Sequence, residues 1–260
     1  MKRRAMMLLT AAAAMVSWGC RKEAVRPREL TVACAASLRP VMEAVVEAYG
    51  VVRPGMVLRC TYGASGTLQA QAMEGAPFDV FLGADETGPA ALAAAGVGEE
   101  PFGFAEGRLA LWVRKDSGLD VEGQGLRVLL DPRVKKVAVA NPELAPYGRA
   151  AMEVIGRAGM EAAVKDRMVF AENVAQTAQY VTSGSAQAGL VAWSLTLSPA
   201  MVAEGTAWLV PETAHEPLVH AGVVLKRTGE AEEARAFSEW LRGPDGGELL
   251  GRGGLKPVKR

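Results

Sequence analysis

Two serines stand where an apolar stretch gives way to a helical pattern, and together they could bind an anion. Ser37 follows the run LTVACAA and precedes Pro40 by three residues, and Ser65 follows the run VLRCTYGA. Serine is a favoured N-cap, and proline suits the first turn of a helix. A strand that leads into a helix presents free backbone N–H groups and the positive end of a helix dipole. Two such junctions side by side predict an oxyanion site that needs no cationic side chain.

Alternating strand and helix patterns surround these junctions. Apolar, β-branched runs predict strands, and apolar residues three or four apart predict helices. The predicted strands are Leu30–Ala36, Met56–Tyr62, Phe78–Ala84, Leu109–Val113, Lys136–Ala140, Met168–Ala171, Gly189–Ala192 and Val219–Leu225. Helical patterns lie between most of them, and the glycine-rich stretch Gly96–Gly107 reads as irregular. This alternation predicts α/β units with largely parallel sheets.

The order of the elements predicts two lobes around a cleft. We expect residues 30–107 and 214–260 to form lobe I and residues 108–213 to form lobe II, with hinges near Gly103–Gly107 and Glu212–Leu218. Ligands of such sheets bind at the carboxyl ends of the strands, where both serine junctions fall.

The first residues carry export signals. Residues 1–19 combine a positive start with a short apolar run, which is typical of a signal peptide. Cys20 follows a small residue, as in the bacterial lipobox, although Ser17 and Trp18 depart from that pattern. We expect a lipid on Cys20, a tether over residues 20–29, and a protein in the periplasm or on the outer side of a membrane. Ordinary cleavage near Cys20, releasing a free secreted protein, is the alternative.

Composition excludes some classes of protein and leaves one cysteine question open. The 260 residues have a formal charge of zero and are 50% apolar, without a basic cluster interleaved with aromatic residues, so nothing indicates a nucleic-acid partner. Cys34 and Cys60 fall on the first two predicted strands, and export would permit a disulfide between them. Two buried free thiols are the alternative.

Six motifs, in order, resemble the molybdate-binding proteins of bacterial ABC importers, which are type II periplasmic binding proteins. From Leu30 to Lys256 they read AASL, ASGTL, GAPFDVFLGAD, NPELAPYGRAA, AENVAQT and GLVAWS. The resemblance implies a two-lobe α/β fold, each lobe a mixed, mostly parallel sheet flanked by helices. It implies capture of molybdate, and of the similarly sized tungstate, by a monomer that serves an ABC permease and its ATPase. Enzyme activity and cofactors are not expected.

The resemblance also implies the anion-binding residues. Ser37 and Ser65 would donate their hydroxyls and backbone N–H groups, and Tyr147 and Val174 their backbone N–H groups. Ala192 occupies a position where some family members place a tyrosine hydroxyl, so that donor is missing here. The phenol of Tyr147 could replace it.

Two other functions are weighed against this one. Another tetrahedral oxyanion, such as sulfate, could be the ligand, with selection by cavity size. A secreted serine hydrolase could pair Ser65 with His215 or His220, but the segment GASGT lacks the second glycine of a nucleophile elbow.

We expect both histidines at a hinge or on the surface, Asp79 in a structural role, and Asp85 as a cap or a lobe contact.

Overall fold

The computed structural model describes residues 28–258. The predictions for residues 1–19 and Cys20, and for most of the tether, lie outside the described residues. Among residues 28–258, no helix combines the length and the apolar character needed to cross a bilayer.

Eleven strands and eleven α-helices, with five short 3₁₀ helices, make up the described part of the chain. The strands are β1 (Arg28–Ala35), β2 (Met56–Gly63), β3 (Val80–Leu82), β4 (Phe102–Gly107), β5 (Leu109–Arg114), β6 (Val137–Ala140), β7 (Met168–Ala171), β8 (Ala188–Ala192), β9 (Gly205–Leu209), β10 (Leu218–Val224) and β11 (Lys256–Pro257). The helices are α1 (Arg39–Val52), α2 (Ser65–Met73), α3 (Thr87–Ala94), α4 (Val121–Gln124), α5 (Pro146–Arg157), α6 (Glu161–Val164), α7 (Val174–Thr182), α8 (Trp193–Thr196), α9 (Pro199–Glu204), α10 (Ala231–Leu241) and α11 (Pro244–Arg252).

The strands form two mixed sheets. The first has the order β11-β4-β10-β3-β1-β2, in which β1 pairs in parallel with β2 and β3, and β10 runs antiparallel between β3 and β4. The second has the order β7-β6-β8-β5-β9, in which β6 pairs in parallel with β7 and β8, and β5 runs antiparallel to β8 and β9. In each sheet most strands point the same way, so the carboxyl ends of β1, β2 and β3 share one edge.

Strand β1 is apolar throughout its second half because helices cover both faces of the sheet. Val32 and Cys34 belong to the main core, together with the α1 residue Met42, whereas Ala33 packs in a smaller cluster with Leu68 of α2. Successive side chains of a strand point to opposite faces, so a strand buried on both faces has no polar alternation.

The neighbouring cysteines carry free thiols. Cys34 pairs in register with Tyr62, and Cys60 pairs with Val32, so the two cysteines are offset by two residues on adjacent strands. Burial raises the pKa of the Cys34 thiol. Of the two alternatives, the structure contains the free thiols, although only Cys34 is buried and Cys60 is half-buried.

The stretch Gly96–Gly107 is only partly irregular, and there the sequence-based prediction was wrong. Phe102–Gly107 is strand β4, which pairs with β10 and β11. Glycine weakens a strand locally, but pairing on both sides compensates for it. Gly107 is needed because a Cβ there would lie 2.5 Å from Cε1 of His220. The short strand β9 was also missed.

Candidate oxyanion-binding site

The carboxyl ends of the strands of both sheets enclose one small cavity of about 10 Å³. Its lining residues come from the ends of β1 and β2, from the residue after Gly83, and from the starts of α5 and α7. They are Ala35, Ala36, Ser37, Gly63, Ala64, Ser65, Ala84, Ala145, Pro146, Tyr147, Asn173 and Val174. No lysine, arginine or carboxylate is among these lining residues, so the cavity wall is neutral.

Unpaired amide groups are the main polar feature of this wall. Several lining residues have a backbone N–H that makes no hydrogen bond in the loops and caps of the described part of the chain, and Ser37, Ser65, Tyr147 and Val174 are four of them. Buried backbone N–H groups are nearly always paired, so four unpaired ones around one cavity indicate a ligand that accepts hydrogen bonds.

Ser65 is placed to donate its hydroxyl proton as well. It is the first residue of α2, it is buried, and its Oγ accepts the N–H of Ala84 at 3.0 Å. That bond occupies an oxygen lone pair and leaves the hydroxyl proton available for an acceptor in the cavity. The next residue, Gly66, donates its N–H to the carbonyl of Leu144 at 2.9 Å, which joins the two halves of the site.

Ser37 lies in a single 3₁₀ turn, Ala36–Leu38, between β1 and α1. Its Oγ is 3.1 Å from Nε2 of His220, and its carbonyl accepts the hydroxyl of Ser194 at 2.7 Å. The N-cap prediction for the two serines was wrong, because neither hydroxyl caps a helix. Both hydroxyls are instead bonded to groups that are distant in the sequence.

Tyr147 is the second residue of α5, directly after Pro146, and is almost fully buried. Its ring packs edge-on against His220 with 5.9 Å between the centroids. Burial raises the pKa of its phenol, an effect partly offset by the nearby Ser37 hydroxyl and Arg108. The phenol oxygen makes no hydrogen bond within the described residues, and a Cβ on Gly107 would lie 2.3 Å from it.

The backbone N–H of Val174 is left unpaired by the way Asn173 caps the helix. Asn173 is the N-cap of α7, and its Oδ1 accepts the N–H groups of Ala175 and Gln176, each at 3.0 Å. The side-chain cap thus satisfies the second and third amides of the helix and leaves the first, on Val174, without a partner.

Ala192 is apart from the other predicted positions. It is the last residue of β8, is fully buried, and pairs with Leu109. It does not line the cavity, and its methyl side chain has no donor. The structure therefore brings together Ser37, Ser65 and the two helix starts, but not this fifth position.

The sequence-based prediction for the two histidines was wrong about the surface, because both are buried. His215 is 5% exposed and His220 is 0% exposed. The Nδ1 of His220 is 3.1 Å from the carbonyl oxygen of Leu218. Desolvation lowers the pKa of His220 to about 4. A single polar residue in the apolar run Val219–Leu225 was a signal that this side chain has a buried partner.

The acidic residues Asp85 and Asp79, which do not line the cavity, each have fixed partners. Asp85 accepts the N–H of Gly88 and forms an ion pair with Arg149, which lies on α5; it is thus both a local cap and a contact between the halves. Asp79 accepts the N–H of Thr31 at 2.7 Å, as expected of a structural residue. Among residues 28–258, no three His, Cys, Asp or Glu side chains gather as a metal site.

Comparisons with known proteins agree with this architecture. The family model for bacterial extracellular solute-binding proteins matches residues 30–256. The molybdate-binding protein ModA of Azotobacter vinelandii is 33% identical over 229 residues, covering 87% of this chain and 89% of that protein. ModA of Rhodobacter capsulatus is 31% identical over 200 residues, covering 76% and 77%.

The solved structure of the periplasmic molybdate-binding protein of A. vinelandii superposes with a TM-score of 0.80. Its sequence is 30% identical, and the match covers 89% of this chain and 99% of that one. The two-sheet architecture, the neutral cavity at the strand ends and these matches lead to one assignment. The chain belongs to the bacterial extracellular solute-binding proteins, as a relative of their molybdate-binding members.

Proposed function

We propose that this protein captures molybdate, and also tungstate, in the cavity between the two sheets. The observation that carries the proposal is the set of four unpaired N–H groups, two on each side of the cavity, together with the Ser65 hydroxyl. The ligand named for the two ModA relatives supports molybdate as the anion. The anion is the cargo and not a cofactor, and the protein contacts its oxygen atoms only.

Neutral donors are sufficient to hold a dianion. A hydrogen bond to a charged acceptor contributes about 1.5–3 kcal/mol. Four amides and one or two hydroxyls can therefore offset the desolvation of the anion and still leave tight binding. A wall made of donors also disfavours protonated oxyanions, because their O–H groups would face N–H groups without an acceptor. Sulfate has no such proton and must be discriminated by size.

We assign the donors as follows. Ser37 and Ser65 contribute N–H and hydroxyl groups from one side, and Tyr147 and Val174 contribute N–H groups from the other. Ala192 contributes no side-chain donor. The phenol of Tyr147 is buried beside the site without a hydrogen bond in the described chain, and so remains a candidate for a further donor.

The proposed lobes are residues 30–107 with 214–260, and residues 108–213. The division is supported by the sheets, since β1–β4, β10 and β11 make one sheet and β5–β9 make the other. Gly66, Asp85 and Ser37 contact residues of the opposite half through a backbone hydrogen bond, an ion pair and the Ser194 hydroxyl. We infer that the halves close over the anion by a hinge motion at the two crossings.

The setting we propose is extracytoplasmic. The signal-peptide pattern of residues 1–19 and the family both support export. We propose a lipid on Cys20 and delivery of the anion by a monomer to an ABC permease and its ATPase. Mass spectrometry of the protein from membranes tests the anchor: a diacylglyceryl group on Cys20 is expected. An unmodified mature chain in the soluble fraction would contradict it.

Titration calorimetry with molybdate, tungstate and sulfate tests the ligand. We expect submicromolar affinity for the first two and at least 100-fold weaker binding of sulfate, about 2.8 kcal/mol at 1.4 kcal/mol per factor of ten. Equal affinity for sulfate would contradict the assignment. The chain is a solute-binding protein and not an enzyme, and a hydrolase based on Ser65 is not supported.

A further inference from the structure

His220 is a fully buried ionisable residue that touches the anion site without lining it. It lies on β10, its Nε2 is 3.1 Å from Ser37 Oγ, and its Nδ1 is 3.1 Å from the carbonyl of Leu218. Phe104 and Tyr147 pack against the ring with centroid distances of 6.0 and 5.9 Å. Both ring nitrogens are therefore committed to specific partners.

These partners determine the protons on the ring. A carbonyl oxygen can only accept, so Nδ1 of His220 carries a hydrogen that it donates to Leu218. In a neutral ring, Nε2 then has a lone pair, and the Ser37 hydroxyl must donate to it. Ser37 would consequently turn an oxygen lone pair, and not a proton, toward an anion.

Protonation of the His220 ring reverses the direction of its hydrogen bond with Ser37. In the imidazolium form, Nε2–H donates to Ser37 Oγ, and the Ser37 hydroxyl proton becomes free for the anion. The bound anion needs that donor, and its own negative charge favours the imidazolium. The two effects act in the same direction.

The charges around His220 are consistent with a neutral ring in the empty site. Burial lowers the pKa of His220 to about 4, and the carboxylate of Asp85 raises it in part. Asp85 is itself paired with Arg149. The phenol of Tyr147 has a pKa raised by burial and is neutral, and the positive charge of Arg108 lowers that pKa only in part. A dianion beside Ser37 would be the largest negative charge near the ring.

We propose that His220 is a positioning residue of the anion site, which takes up one proton from solvent as the anion binds and thereby turns the Ser37 hydroxyl toward the anion. The proton goes from water or buffer to Nε2, no covalent bond between heavy atoms changes, and the bound state gains one positive charge. This inference rests on the proposed function, because it requires an oxyanion in the cavity.

Proton uptake makes binding depend on pH. Between the pKa of His220 in the bound state and its value of about 4 in the empty state, affinity rises about tenfold for each pH unit of acidification. Above the bound-state pKa, affinity no longer depends on this group. A histidine that only filled space would give no such dependence.

Calorimetry in buffers of different ionisation enthalpy measures the protons exchanged on binding. We would titrate molybdate into the protein at several values between roughly pH 5.5 and 7.5. The expected result is a net uptake that rises toward one proton as the pH falls. Binding with no uptake at any pH would overturn the role of His220 and leave the proposed function standing. No binding of molybdate or tungstate at all would overturn both.

His220→Gln and His215→Gln form a matched pair of variants. A glutamine at 220 can donate an amide N–H to Ser37 but does not titrate, so we expect binding within tenfold of the wild type and no proton uptake. His215 bonds to the Glu216 carbonyl and does not line the cavity, so its variant should take up protons as the wild type does. Unchanged uptake in His220→Gln would contradict the proposal.

A spectroscopic test does not depend on the His220 variant folding. The chain has two histidines, so the His215→Gln protein has His220 alone. Its imidazole ¹⁵N shifts should indicate a neutral ring with the hydrogen on Nδ1 before molybdate is added at about pH 6, and an imidazolium afterwards. A ring that stays neutral at saturation would overturn the proposal.

Discussion

Replacing Gly148 by alanine tests whether the start of α5 holds the anion. Gly148 is the third residue of that helix, and a Cβ there would lie 2.2 Å from the carbonyl oxygen of Ala140 and 2.8 Å from its carbonyl carbon. Both atoms belong to the backbone at the end of β6, which has no flexible side chain to move aside. The start of the helix must therefore retreat by roughly 1 Å to restore ordinary contact.

The retreat would carry the adjacent N–H of Tyr147 away from the anion. A hydrogen bond of normal length is lost when it is stretched by that amount. The loss of one bond to a charged acceptor costs about 1.5–3 kcal/mol, which corresponds to roughly 10- to 150-fold weaker binding. Overpacking should also lower the free energy of unfolding by about 1–3 kcal/mol.

The same helix offers a control. Gly156 is exposed, and a Cβ there would meet nothing within 4 Å. Gly156→Ala should leave molybdate affinity unchanged and raise the free energy of unfolding by about 0.5–1 kcal/mol, because alanine favours the helix. Calorimetry with molybdate, below the unfolding temperature of either variant, makes the comparison. If folded Gly148→Ala bound as tightly as Gly156→Ala, the assignment of Tyr147 N–H would be refuted.

Three further outcomes follow from the contacts of the site. Ser65→Ala removes a donor and leaves the Ala84 N–H without its acceptor. Molybdate binding should therefore weaken by about 1.5–3 kcal/mol, measured by calorimetry, and the free energy of unfolding should fall by about 1–3 kcal/mol, measured by urea unfolding. Unchanged affinity would show that the Ser65 hydroxyl does not contact the anion. Asp85→Asn breaks the partly exposed ion pair with Arg149. The affinity for molybdate should therefore fall by about 0–1 kcal/mol and depend less on salt concentration. A larger loss of affinity at high salt would contradict the interpretation of this pair as a simple contact between the halves. His220 has a pKa lowered from 6.5 to about 4 in the folded protein, so the unfolded state binds its proton first on acidification. The contribution of neutral His220 to the free energy of unfolding is present above pH 6.5 and is lost as the pH falls toward about 4, up to about 3 kcal/mol at 1.36 kcal/mol per pH unit. Urea unfolding at both ends of that range should show a smaller loss in His220→Gln than in the wild type.

Much of the candidate site could be located from the sequence because helix starts are local features. Ser65, Tyr147 and Val174 are each the first or second residue of a helix that follows a strand end or a short loop. Their free amides arise from the geometry of a helix terminus, which depends on neighbouring residues alone. The order of most strands and helices could also be predicted, because the periodicity of apolar residues reflects which faces are buried.

Other features depend on residues that are distant in the sequence. The glycine-rich strand β4 forms because β10 and β11 pair with both of its edges. Both serines were expected at N-cap positions with hydroxyls that face the anion, yet Ser65 Oγ also accepts the Ala84 N–H and Ser37 Oγ bonds to His220, 183 residues away. No local pattern reports such a partner.

The amino-acid sequence by itself determined where the chain offers unpaired amides, since strand-to-helix junctions, capping residues and prolines act within a few residues. The tertiary structure alone decided that those junctions share one neutral cavity, that Ala192 lies outside it, and that a buried histidine contacts the hydroxyl of Ser37. The physical reason is the distance along the chain over which each interaction acts. Backbone conformation at a junction is set by adjacent residues, whereas desolvation and the direction of a hydroxyl proton are set by whatever the fold packs against them.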